Sequence, residues 1–166
     1  MVYTINMKST LKAYRTGAMG AILDEYERAM QDMITLFPKI SQENFLRILD
    51  PDTPDPNCQS IQTILQHVID AGYSYTNYIR ERYGIAERIW GPELEQIDMV
   101  ADQMVQMFEY LVDTSELIEP IADDDWMNVL IRTRWAEVYD LEQLLEHAIV
   151  HLLRHRRQLE KFILQL

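Results

Sequence analysis

The chain has 166 residues with 48% apolar content and a net charge of −12. That length and hydrophobicity suit one domain, residues 1–166, with a real core, and exclude disorder. The acidic balance argues against nucleic acid and anionic membranes as partners, because phosphate contacts need a basic surface. No run of 18 uninterrupted apolar residues is present, so no membrane span is expected. The opening MVYTINMKSTLKAYR lacks the apolar stretch of a signal peptide. The single cysteine, Cys58, excludes an internal disulfide and fits a reducing cytoplasm.

A first helix is predicted from about Ser9 to Phe37. Leu11, Ala18, Ile22, Ala29, Met33 and Leu36 hold a helical period, Gly17 and Gly20 weaken it or permit close packing, and Pro38 ends it. The following ISQENFLRILDPDTPDPNCQ crowds Pro51, Pro54 and Pro56 together and reads as a stiff loop.

Ser60 is placed to cap a second helix, SIQTILQHVIDAGYSYTNYIRERY, which runs to about Tyr83 and stops at Gly84. Its stripe is Ile61, Ile64, Leu65, Val68, Tyr75 and Ile79, with His67 on the flank. Gly91-Pro92 opens a third predicted helix, with Glu93 and Glu95 in its first turn and an apolar period continuing to about Leu117. Pro120 breaks it, and Asp123-Asp124-Asp125-Trp126 begins an irregular or partly extended link to Asp140. Within that link VLIRTRWAEVY is apolar enough to pack over the helices, as a short helix.

The last helix, DLEQLLEHAIVHLLRHRRQLEKFILQL, has the clearest period: Leu141, Leu144, Leu145, Ala148, Leu152, Leu159, Phe162, Ile163 and Leu166 form one stripe. Asp140 and Gln143 make a capping-box pair at its start. Four amphipathic helices without an alternating strand pattern give an all-α fold, a four-helix bundle with a long crossover link before the last helix.

Three of the four histidines, His147, His151 and His155, lie four apart on that helix. Two imidazoles at this spacing can converge on one metal ion. At about 100° per residue, His155 falls at the edge of the apolar stripe, His151 roughly 40° outside it and His147 roughly 80° outside, towards solvent. The inner pair is the better chelate. His147 and His155 are about 12 Å apart along the axis, so one ion cannot take all three, and His147 is the bystander. Bundles build metal sites from facing helices, which makes His67 a reasonable third ligand. Three imidazoles leave a coordination position open, the catalytic rather than the structural arrangement.

Other motifs are missing. No Glu-x-x-His marks a ferritin-like di-iron site, and HExxH, GxSxG and P-loop patterns do not occur. Cys58 is a nucleophile, a soft ligand or a small packed residue. Asp70 either orients a ligand or acts as a base, although the wheel turns it to solvent. Tyr73, Tyr75 and Tyr78 line a pocket above the metal or simply pack. Arg156 holds an anionic substrate or pairs with an acidic neighbour. No residue is assigned a catalytic role, and no organic cofactor is called for.

The sequence Leu65-Gln66-His67 with Ala71 following, then His151-Leu-Leu-Arg-His155-Arg156-Arg157-Gln158, resembles the DinB/YfiT-like proteins. The likeness spans nearly the whole chain, and its specificity lies in order, spacing and helix count together. It implies a four-helix bundle in which His67, His151 and His155 bind a divalent metal ion. Arg157 departs from the pattern, standing where many members have glycine. The resemblance also implies hydrolase or thiol S-transferase chemistry on a small molecule, with a low-molecular-weight thiol as possible cosubstrate, and homodimers. Zinc and nickel match the imidazole donors, and an open position would take water or a thiol. Two alternatives stand beside this one: a non-catalytic, stress-related bundle that binds a protein partner, and histidines that titrate near neutrality without metal.

Overall fold

A computed structural model describes residues 13–88, 91–118 and 128–166. The structure is mostly helical. Four long helices dominate it: α1 (Gly17–Ile34), α3 (Ile61–Arg82), α4 (Ile97–Ile118) and α5 (Leu141–Ile163). A short α2 (Gln42–Leu46) precedes α3, and a two-stranded hairpin, β1 (Ile131–Arg132) and β2 (Val138–Tyr139), precedes α5. Helix α3 packs against both α4 and α5, and α1 packs against the same two. Among the described residues, no helix is long and apolar enough to cross a membrane.

The ends of α3 and α5 follow from local chemistry. Ser60 Oγ accepts from the Thr63 backbone N–H at 3.1 Å while Thr63 Oγ1 accepts from the Ser60 N–H at 3.0 Å. Asp140 and Gln143 make the same reciprocal pair at 2.8 and 3.1 Å, so both helices start where a capping box places them. At its far end α3 closes in a Schellman turn: Gly84 has φ 66°, and the Ile85 N–H reaches the Arg80 carbonyl at 2.8 Å.

Several expectations need correcting. Helix α1 begins at Gly17 rather than Ser9; residues 9–12 lie outside the described residues, and 13–16 are not helical. The Arg15 N–H and guanidinium are both taken by Asp24, at 3.0 and 2.6 Å, and the guanidinium also meets Glu27, so the segment folds back on the helix. The helix stops at Ile34, and Pro38 sits inside a 3₁₀ turn, Phe37–Lys39. The proline-rich stretch is not all loop: Ser41 caps α2, whose Phe45 is fully buried, and Pro56–Cys58 forms a 3₁₀ turn.

Helix α4 starts at Ile97, not at Gly91-Pro92. Side chains of other elements claim the intervening backbone. Gln66 accepts from the Leu94 N–H at 2.8 Å, Gln62 donates to the Leu94 carbonyl at 2.6 Å, and Gln42 brackets the helix start through the Glu95 carbonyl and the Ile97 N–H. The expected short helix over VLIRTRWAEVY is a hairpin instead. Ile131 and Thr133 are buried while Arg132 and Arg134 are exposed, a period of two, and Ala136 makes the turn at φ 69°. Pro120 and Asp123 to Trp126 fall outside the described residues.

Leu23, Met30 and Met33 of α1, Ile61, Ile64, Leu65 and Ile69 of α3, Met104 and Met107 of α4, and Leu144, Leu145, Leu152 and Leu159 of α5 meet in one core. Gly72 is where α3 and α4 come closest: a Cβ there would stand 1.8 Å from Met107 Sδ. Close packing along this seam turns the neighbouring flank of α3, which carries His67, towards α5.

Candidate metal centre

The side chains of His67 on α3 and of His151 and His155 on α5 meet across the helix interface. His67 Nε2 is 3.0 Å from His151 Nε2, and His151 Nε2 is 3.3 Å from His155 Nε2. All three donor atoms lie within 4.8 Å of one another. Nitrogens held at the ~2.0–2.1 Å length of Zn–N bonds in tetrahedral array stand about 3.3 Å apart, so this spacing fits a single ion. Among the described residues no fourth His, Cys, Asp or Glu joins the cluster.

Protonation favours the same conclusion. His155 is 5% exposed, and its Nδ1 donates to Gln158 Oε1 at 3.0 Å, which leaves its Nε2 with a lone pair directed at His151. Burial, reinforced by the charges of His155, His67, His147 and Arg154, pushes His151 down to about 3. Burial likewise lowers His155, against the opposing pull of the Gln158 bond. Neutral imidazole is the form that ligates metal, so His151 and His155 present lone pairs at neutral pH without first losing a proton. Three converging nitrogens then share too few protons to satisfy one another, and a cation would satisfy all of them. The donor set fits a divalent ion. The same burial removes the ground for histidines that titrate near neutrality.

The cluster lies at the floor of a cleft of about 410 Å³. Asp55, Cys58, Arg154, Arg157, Gln158 and Lys161 form the rest of its lining. The Cys58 thiol is buried and donates to Gln158 Oε1 and Asp55 Oδ2, both at 3.7 Å. Burial pushes this thiol up, the opposite of what an activated nucleophile needs.

The remaining candidates separate clearly. Tyr75 touches the cluster, its ring 5.8 Å from that of His151, and burial raises its phenol to about 12. Tyr73 packs on Tyr110 instead, and the Tyr78 hydroxyl accepts from the Arg134 N–H in the hairpin. His147 does not join the ligand atoms, as its bystander position implied. It is not solvent-facing, however, because Trp135, Tyr139 and Tyr75 surround its ring at 6.1, 5.3 and 5.6 Å. Asp70 is half-buried rather than turned to solvent and accepts from Gln66 Nε2 at 3.0 Å. Arg156 takes the acidic-neighbour option, pairing with Asp32 at 2.9 Å and Glu160 at 3.4 Å.

Sequence reasoning quoted Gln158 without giving it a task and passed over Arg154 and Lys161. Their spacing was the available signal: positions 154, 157, 158 and 161 lie on the same side of a helix as 151. Compared with known proteins, the chain matches no family model and no curated sequence.

Proposed function

We propose that this chain is a metal-dependent enzyme of the DinB/YfiT type. Helices α1, α3, α4 and α5 form its four-helix bundle, the hairpin segment provides the crossover into α5, and His67, His151 and His155 bind one divalent ion, zinc or nickel. The observation that carries the reading is the convergence of three Nε2 atoms from two helices at the floor of a cleft. Three protein donors with no fourth favour a catalytic over a structural site.

Bound there, the ion would act as a Lewis acid that lowers the pKa of a water or thiol, the chemistry of a hydrolase or a thiol S-transferase. The chain's own residues set the stage for it. Gln158 holds His155 in the tautomer that offers Nε2. Tyr75 and the hairpin residue Trp135, whose rings meet at 6.2 Å, cover the His147 side of the cluster, so a small molecule enters from the cleft side. Cys58, with no disulfide partner, fits a cytoplasmic protein, and the exposed Val150, Leu153, Leu164 and Leu166 give α5 apolar surface for pairing as a homodimer.

Elemental analysis of untagged protein tests the site. About one equivalent of transition metal is expected in the wild type and none in His151→Ala. Protein that is isolated metal-free and takes up neither Zn²⁺ nor Ni²⁺ on titration would overturn the enzyme reading and favour a non-catalytic bundle with a protein partner.

A further inference from the structure

The cleft wall beside the histidines is cationic in a strongly acidic chain. Arg154, Arg157 and Lys161 line it against one carboxylate, Asp55, while the whole chain carries −12. At about 100° per residue the three cations fall within roughly 60° of one another on α5, next to His151 and His155. Arg15, Arg28 and Arg156 each form ion pairs, whereas among the described residues Arg154, Arg157 and Lys161 form none. Arg154 and Arg157 are three apart and Arg157 and Lys161 four apart, spacings at which like charges repel and weaken a helix.

The helix dipole accounts for Lys161, which lies in the last turn. It does not account for Arg154, more than two turns before the end at Ile163, beyond the dipole's reach. The Arg154 charge is felt by His147, His151 and His155, so this guanidinium stands over the cluster rather than away from it. All three cationic residues are exposed and free to turn towards a ligand.

We propose that the cleft binds a small organic anion, its carboxylate or phosphate group held by Arg154, Arg157 and Lys161 and the rest of the molecule lying over the three imidazoles. Guanidinium groups grip both oxyanions through paired hydrogen bonds, and a cleft of about 410 Å³ is of ligand size. Bound anion also relieves the repulsion along α5. As an assignment of substrate class, this rests on the enzyme reading above; as an assignment of binding, it stands on the cleft alone.

The test is a chemical-shift titration of the full chain with succinate and with phenylphosphonate, run on Zn²⁺-loaded and on chelator-treated protein. Two variants accompany the wild type. One is Arg154→Ala/Arg157→Ala/Lys161→Ala; the other, Lys39→Ala/Arg47→Ala/Arg82→Ala, removes the same charge from exposed positions elsewhere. At least one probe should saturate the wild type with shifts along the cleft face of α5. Its affinity should fall about tenfold or more in the first variant and hold in the second, with binding weakened by added salt. Equal affinity in wild type and first variant, an equal loss in both variants, or a Zn²⁺-loaded wild type that takes neither probe would overturn the proposal while leaving the metal site intact. Protein that takes no Zn²⁺ yet binds a probe, and loses it in the first variant, would uphold the anion site and sink the metal reading.

Discussion

Replacing Gln158 by alanine tests how the site is built, because Gln158 touches a ligand without being one. Its Oε1 accepts from His155 Nδ1 at 3.0 Å, and His155 is only 5% exposed. Without that acceptor, a buried Nδ1–H loses its partner, and such a loss costs about 1–3 kcal/mol. The imidazole can recover part of this by carrying its proton on Nε2, the position the metal requires free. Relative to the wild type, the metal must then restore the tautomer, so affinity should fall about 10–100-fold, equivalent to roughly 1.4–2.7 kcal/mol. Gln158→Glu keeps an acceptor in place and should retain wild-type affinity or exceed it, since a carboxylate makes the ring a stronger donor. Competition for Zn²⁺ against a chromophoric chelator measures all three proteins, with circular dichroism to confirm the fold. Gln158→Ala binding within a factor of about three of wild type would refute the positioning role, as would a loss that Gln158→Glu shares.

Three further outcomes are expected. Gly72→Ala would drive a methyl into Met107 Sδ, which is itself buried and held by the Tyr26 hydroxyl at 3.6 Å. Even after the helix-propensity gain of alanine, a loss of about 2 kcal/mol is expected, a fall of roughly 4–8 °C in Tm; an unchanged Tm would show that the seam has slack. In chelator-treated protein, His151 is held near 3 when folded against 6.5 for the free side chain. The unfolded chain therefore binds the extra proton first, and stability, complete above pH 6.5, should decline as pH falls from there. Urea unfolding at pH 7.5 and pH 5 should show that decline, and His151→Gln should flatten it; equal slopes would contradict the assignment. Finally, Gln66→Ala strips the Leu94 N–H of its acceptor, so hydrogen exchange at Leu94 should speed up while α3 stays protected. Unchanged exchange there would mean that Gln66 does not hold the segment before α4.

The sequence by itself determined what local chemistry controls. Ser60 with Thr63 and Asp140 with Gln143 set the starts of α3 and α5 because a capping box needs only four consecutive residues. The spacing of His151 and His155 on one helix put their rings within reach of each other whatever else the chain did. Tertiary structure decided the rest. Backbone before Ile97 could have been helix, and is not, because Gln42, Gln62 and Gln66 claim its hydrogen bonds from 28 to 55 positions away. The segment around Trp135 had apolar content for either helix or strand, and became a hairpin that turned His147 from a solvent-facing residue into a covered one. Above all, His67 lies 84 positions before His151. Its place on the flank of α3 said only that it could face a neighbour. The packing of α3 against α5 chose that neighbour, since burial of two apolar stripes fixes the rotation of each helix, and with it the residues that meet at the seam.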